Sequence, residues 1–174
     1  MSSTRTVKIP EGVKAHLDGM QLRVTGPKGQ LSRNMRFPQV TVTCDGGQVT
    51  ISTESKRKET AAMVGTLEAH TKNMIRGVSE GFEYRMKVVY SHFPIQLKLQ
   101  GNKLEIANFL GEKKARYARI EAGVTAKVAN DEVVLTGIDR ELVGTSAANI
   151  EHATHIRDRD PRVFQDGIYM IQRG

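Results

Sequence analysis

Two histidines stand three residues apart in the run Glu151-His-Ala-Thr-His155. On a helix that spacing turns both imidazoles to one side, where they could share a metal ion, and Glu151 beside them would complete the outline of a small metal-dependent hydrolase. Two ligands do not make a site, and no cysteine or further carboxylate nearby supplies a convincing third. A pair of surface histidines late in a helix also suits its negative end, and this plainer account is the stronger. His16, His70 and His92 are scattered, and no serine or cysteine is matched to them as an activated nucleophile. The expectation is no catalytic residue, no metal, no cofactor and no small-molecule substrate.

Gly26-Pro27-Lys28-Gly29 has the look of a phosphate-cradling loop. It fails the nucleotide test, because Gly-x-x-x-x-Gly-Lys-Ser/Thr spacing is absent and a strand signal follows where a helix should. A tight turn with Lys28 at its tip, able to touch a phosphate, is what remains.

Cations gather elsewhere. Between Lys28 and Pro38 lie Lys28, Arg33 and Arg36 with no acid, and between Glu112 and Arg119 lie Lys113, Lys114, Arg116 and Arg119 against Glu112 alone. Arg157, Arg159 and Arg162 alternate with Asp158 and Asp160, so those charges either pair among themselves or face a ligand. Such runs are usually solvated surface. Read as loops in a chain without a catalytic constellation, they point instead to phosphates.

Composition agrees with that direction. The 174 residues carry 26 Lys and Arg against 19 Asp and Glu, a formal net charge of +7, and a basic excess selects acidic partners, nucleic acid first. Aromatics are only 5% with no Trp, too few for the stacking platforms that read single strands, so phosphates and duplex shape are the expected target. Cys44 stands alone, which excludes an internal disulfide and any cysteine-based zinc site. No run approaches the ~18 apolar residues of a membrane span. The opening Met1-Ser2-Ser3-Thr4-Arg5 lacks a signal peptide's apolar core, and a cytoplasmic chain without a membrane partner is expected.

The elements that must position these charges come twice. With an offset of about 80 to 86 residues, Ile9-Pro10 falls on Phe93-Pro94, Leu22-Arg23-Val24 on Leu104-Glu105-Ile106, and Val49-Thr50-Ile51 on Val133-Val134-Leu135. Val64-Gly65-Thr66 falls on Val143-Gly144-Thr145, and Gly81-Phe82 on Gly167-Ile168. Each copy alternates apolar and polar residues around turn signals, Asp18-Gly19 and Asp45-Gly46-Gly47 first, Gly101-Asn102 and Asn130-Asp131 second. The period then changes to helical. Met63, Val64, Leu67, Met74 and Ile75 share a face between Glu59 and Arg76, with Gly77 as left-handed cap; Asp139 caps a second helix bearing Leu142, Val143, Ile150 and Ala153. Small Gly65 and Gly144 are expected to let each helix approach its sheet. The fold class is α+β: two tandem, duplicated domains, residues 1–81 and 82–174, each an antiparallel β-sheet with one α-helix packed on one face. A stiff strand from Phe82 is expected between them.

Six stretches taken together resemble one family, the L-six protein of the large ribosomal subunit in its archaeal and eukaryotic form. They are Ile9-Pro-Glu-Gly-Val13, Val24-Thr-Gly-Pro-Lys-Gly29, Asn73-Met-Ile-Arg-Gly-Val78, Val89-Tyr-Ser-His-Phe-Pro-Ile95, Asn108-Phe-Leu-Gly-Glu-Lys113 and Asp166-Gly-Ile-Tyr169. The resemblance implies a duplicated α+β fold and a structural role on the ribosome. It also implies binding to large-subunit rRNA close to the sarcin–ricin loop, with neighbouring ribosomal proteins and translation factors nearby. Asp160-Pro-Arg-Val-Phe-Gln-Asp-Gly167 replaces the bacterial Lys/Gly-rich ending, and Ala107 stands where many relatives are expected to be basic. An RNA- or DNA-binding module outside the ribosome is the alternative.

Charge and resemblance disagree on which half grips RNA. Residues 1–90 hold 14 basic against 8 acidic residues, and residues 91–174 hold 12 against 11. Because phosphate contacts act within a Debye length of ~8 Å, local loops outweigh domain averages, and 82–174 is expected to be the main rRNA-binding half.

Overall fold

Buried Leu22 and Val24 alternate with exposed Gln21 and Arg23, the pattern of a strand with one face in a core. A computed structural model, describing residues 3–45 and 47–174, shows the chain in two compact units, Met1–Gly81 and Phe82–Gly174. The expected second turn at Asp45-Gly46-Gly47 includes Gly46, which lies outside the described residues.

The first unit runs β1 (Ser3–Lys8), β2 (Lys14–Asp18), β3 (Gln21–Gly26), β4 (Gly29–Asn34), β5 (Thr41–Cys44), β6 (Gln48–Thr53) and α1 (Lys58–Ser79). Its strands form two antiparallel sheets, ordered β1-β6-β5 and β2-β3-β4. On α1 the buried positions Thr60, Val64, Leu67, Thr71, Met74 and Val78 recur every three or four residues. They close over Val7, Leu22, Val24, Val49 and Ile51. Each such side chain contributes about 1.5–3 kcal/mol by leaving water.

The second unit repeats this order with β7 (Phe82–Val89), β8 (Gln96–Gln100), β9 (Lys103–Ala107), β10 (Arg116–Arg119), β11 (Val124–Ala129), β12 (Glu132–Gly137) and α2 (Arg140–Ala153). A further strand, β13 (Gly167–Arg173), pairs antiparallel with β7, giving sheets β11-β12-β7-β13 and β10-β9-β8. The core gathers Met86, Leu104, Ile106, Phe109, Leu135, Val143, Ile150 and Ile168. Asp139 caps α2 as expected, accepting from Glu141 N at 2.8 Å. Two tandem α+β domains, each with antiparallel strands and one packed helix, are therefore present.

Several local expectations are corrected. The strand from Phe82 is no connector: β7 lies between β12 and β13 inside the second unit's sheet. Its counterpart is β1, which pairs with β6 as β7 pairs with β12, so matching Gly81-Phe82 to Gly167-Ile168 sets two non-equivalent strands together. Gly77 is buried within α1; the helix ends at Ser79, and Gly81 takes the left-handed conformation at φ +77°. Gly65 and Gly144 do not mediate close packing either. A Cβ at Gly65 would meet nothing within 4 Å, and at Gly144 only Tyr84 Cε2 at 3.9 Å. In the first unit the close approach is at Gly26, where a Cβ would stand 2.7 Å from the Val78 carbonyl oxygen, so the β3–β4 turn rests directly on the end of α1; in the second it is at Gly137, 2.8 Å from Val143 Cγ2.

Candidate nucleic-acid interface

Lys28 sits at that turn, and its bonding to α1 decides its role. Its backbone N donates to Val78 O at 2.9 Å and its Nζ donates to the Glu80 carbonyl. A lysine so placed satisfies carbonyls left open at a helix C-terminus and neutralises the negative end of the helix. Lys28 is exposed, and its ammonium has this internal partner. Arg33 lies on β4 rather than in a loop, partly buried opposite Leu22. Arg36 follows the strand, exposed, with its backbone N bonded to Asn34 Oδ1 at 2.9 Å. A six-residue strand spans roughly 17–20 Å, so Lys28 and Arg36 stand at opposite ends of β4 and do not form one patch.

The second unit arranges its cations differently. Lys113 and Lys114 are exposed between the short 3-10 turn Phe109–Gly111 and β10, and neither forms an ion pair among the described residues. Arg116 and Arg119 are strand residues, bounding β10. Arg116 is heavily bonded. Its Nη2 donates to Glu112 Oε1 at 2.6 Å and its Nε to Glu112 Oε2 at 2.9 Å. Its Nη1 donates to the carbonyls of Ala153 and His155 at 3.0 and 3.1 Å, and the guanidinium lies 4.3 Å above the Phe109 ring. Four of its five N–H groups are therefore engaged within the protein, and the side chain remains 27% exposed. Hydrogen bonds from Arg116, with the Arg116 and Arg159 charges, hold the Glu112 carboxyl below its usual range against the opposing effect of burial.

Because Ala153 ends α2, the Arg116 fork ties the Lys113–Lys114 loop to the start of the segment that carries Arg157, Arg159 and Arg162. All three arginines are exposed. Arg159 lies 4.8 Å above the Phe164 ring, and Arg162 pairs with Asp160 at 3.3 Å with 90% of its side chain in solvent. Arg119 reaches Glu121 at 3.5 Å while remaining 76% exposed. Asn108, Leu110 and Asp158 adopt positive φ of 58°, 50° and 59° on the segments leading into these two loops. Asn and Asp tolerate that conformation, whereas Leu110 holds it only because its surroundings impose it.

A buried carboxylate fixes the far end of the arginine segment. Asp166, with no exposed side-chain surface, accepts from Ser91 N at 3.1 Å, Ser91 Oγ at 3.1 Å and His92 N at 3.2 Å, and lies 2.8 Å from His92 Nδ1. Burial raises its pKa, but the bonds from His92 and Ser91 prevail and lower it. The His92 ring also stacks on Phe164, centroids 4.7 Å apart. Serine, histidine and aspartate meet here without forming a hydrolytic triad. Both Ser91 Oγ and Asp166 approach Nδ1, whereas a triad needs the serine at Nε2.

His152 and His155 are exposed, and Glu151 Oε1 accepts from Met170 N at 3.1 Å, which commits that carboxylate to β13. Among the described residues no three His, Cys, Asp or Glu side chains could hold a metal ion. Among the described residues no helix is long and apolar enough to cross a membrane.

Sequence reasoning does not single out the structural roles of Glu112, Phe109, Phe164, His92 or Asp166. Asp166 and Ser91 meet across 75 residues, and no local period announces such a pairing. Tyr117 carries no such signal either; it is 57% exposed on β10 between Arg116 and Arg119.

Comparison with known proteins adds the lineage. The chain matches the family described as Ribosomal protein L6 over residues 9–81 and again over residues 93–167. It is 57% identical to large ribosomal subunit protein uL6 of Methanospirillum hungatei across 173 residues, 99% of this chain and 98% of that protein. The uL6 proteins of Methanocella arvoryzae and Methanothrix thermoacetophila are 53% and 49% identical, each over 97% of this chain and 96% of the relative. Two family matches in one chain, and identity of this extent along almost its whole length, establish that the chain belongs to the ribosomal protein L6 family, with its archaeal members among its relatives.

Proposed function

We propose that this chain is a structural constituent of the large ribosomal subunit, located on the cytoplasmic ribosome, that binds large-subunit rRNA mainly through residues 82–174. It is a ribosomal protein by family and catalyses nothing. Lys113, Lys114, Arg157, Arg159 and Arg162 reach phosphates; Arg116 holds their two segments at one end of the domain; Arg119 and Tyr117 extend the surface along β10. The observation that carries this reading is the Arg116 fork, which gathers exposed cations from segments about forty residues apart. Arg forks suit bidentate phosphate contact, and the acids beside them keep the guanidinium groups oriented. Lys28, Arg33 and Arg36 serve the first domain and give at most a secondary contact.

On the ribosome this end of the second domain lies close to the sarcin–ricin loop, with translation factors and other ribosomal proteins as neighbours. The test is to wash large subunits through a salt gradient and to footprint their rRNA with and without the chain. The reading predicts retention at moderate salt and protection confined to one rRNA region including that loop. Release at low salt with no footprint would instead mark an RNA- or DNA-binding module outside the ribosome.

A further inference from the structure

Element by element, β1 through α1 correspond to β7 through α2, and β13 is left over. The edge of β7 that β13 covers is, on β1, paired with no strand among the described residues. Ile9 N bonds Gly47 O at 3.0 Å, so in this antiparallel ladder Val7 and Arg5 also turn their backbone groups toward β6. Thr4, Thr6 and Lys8 turn theirs outward, and all three are exposed. On β7 the outward positions are taken: Gly174 N donates to Glu83 O at 3.0 Å, and Tyr169 faces Lys87.

A groove of about 530 Å³ runs beside the β1 edge, lined by Thr6, Val7, Lys8, Lys72, Ile75 and Ser79 among others. Its far wall is the part of α1 that matches the part of α2 touching β13. With Val64-Gly65-Thr66 on Val143-Gly144-Thr145, Lys72 falls on Glu151 and Ile75 on Thr154. In the second domain Glu151 Oε1 accepts from Met170 N and Thr154 Oγ1 from Ile168 N, both at 3.1 Å, so the helix bonds the added strand directly. In the first domain the same two places hold an ammonium and an apolar side chain. They favour a carboxylate and an apolar residue where β13 offers N–H groups.

We propose that β1 accepts an extended segment of another protein as an added antiparallel strand. Alternate apolar residues of that segment seat against Val7 and Ile75, and a carboxylate lies beside Lys72. Outward N–H and C=O groups in alternation are what a peptide backbone matches. RNA would answer the positive charge but not the ladder or the apolar floor. Lys72 keeps its bond to Glu68 at 2.7 Å, and Glu68 also lies 3.7 Å from Arg5, so with Lys8 the edge remains net positive. The surface belongs to residues 1–81, and the proposal does not depend on rRNA binding by residues 82–174.

The test uses amide hydrogen exchange on the full chain with three probes: a blocked ten-residue peptide alternating valine and aspartate, the same peptide with lysine for aspartate, and a ten-nucleotide oligouridylate. In the chain alone, Thr4, Thr6 and Lys8 amides should exchange fast and Arg5 and Val7 slowly. The aspartate peptide should bind saturably and slow the first three. Lys72→Gln should weaken it about fivefold, the worth of one exposed ion pair. Thr6→Pro, which removes an outward N–H without touching the β6 ladder, should weaken it further. Circular dichroism checks the proline variant, and Lys72→Gln carries the test if that variant misfolds. The proposal is overturned if the three amides are already protected, if the aspartate peptide does not saturate, if the lysine peptide binds as well, if both variants bind unchanged, or if oligouridylate protects these amides better.

Discussion

Arg116 and Glu112 are joined by two parallel hydrogen bonds, at 2.6 and 2.9 Å, and the same guanidinium bonds two carbonyls at the end of α2. One side chain thus fastens the loop before β10 to the segment after α2. Arg116→Ala should cost about 1–2 kcal/mol, a charged hydrogen-bond network discounted for its partial exposure. Arg116→Lys should recover little, because an ammonium cannot span the carboxylate and both carbonyls together. Urea unfolding of the three proteins measures this. A lysine variant as stable as the parent would show that charge alone suffices.

Lys113 and Lys114 should behave in the opposite way. Exposed and unpaired among the described residues, they contribute little to folding, so Lys113→Ala with Lys114→Ala should shift stability by no more than about 0.5 kcal/mol. For every phosphate these variants leave unneutralised, the plot of log affinity against log salt should flatten by roughly 0.7–0.9. The comparison is Lys28→Ala, whose ammonium bonds the Glu80 carbonyl. That variant should unfold more easily with its salt slope unchanged. A reversed result, with the slope flattened by Lys28→Ala and unaltered by the Lys113 and Lys114 changes, would move the interface to the first domain.

The same contrast shows how much the chain's order of residues discloses. Period-two and helical patterns, with turn signals between them, disclose the duplicated α+β domains because those features depend on near neighbours. Runs of Lys and Arg disclose where cations are dense but not which of them are engaged. Arg116 and Lys113 look alike in sequence, yet Arg116 donates to Ala153 and His155 from across the fold. A closing element over Ile168 to Gln172 is legible in sequence, but its pairing with β7 is not, because tertiary register sets it, and only the topology shows that β1 lacks such a neighbour among the described residues.

Acid should loosen the arginine segment through Asp166. Bonds from His92 and Ser91 outweigh burial and set its folded pKa below the ordinary 3.8. Its stabilising contribution is therefore complete above the unfolded value and disappears as pH falls through the lower folded value. Asp166→Asn should destabilise the chain by about 1–3 kcal/mol at neutral pH, since one of two buried acceptor oxygens becomes an amide donor facing other donors, and should abolish part of the acid-side decline. Unfolding midpoints measured by circular dichroism from pH 7 down into the range below the ordinary carboxylate value test both points. Parent and variant curves that stay parallel across that range would show that Asp166 does not govern the acid limb.

Gly65 and Gly26 should respond to alanine with opposite signs. Gly65 lies within α1 and a Cβ there would meet nothing within 4 Å, so alanine only restricts the unfolded chain and improves helix propensity. Gly65→Ala should stabilise by about 0.5–1 kcal/mol. At Gly26 the added carbon would stand 2.7 Å from Val78 O and 2.8 Å from Val78 Cγ2, and the first of these is backbone that cannot swing aside. Either the β3–β4 turn lifts from α1, breaking the 2.9 Å bond from Lys28 N to Val78 O, or the helix end shifts. Overpacking of this kind costs about 1–3 kcal/mol. Urea midpoints that rise for Gly65→Ala and fall for Gly26→Ala are expected. If both fall, α1 at Gly65 faces a neighbour rather than open space; if both rise, the turn does not rest on the helix.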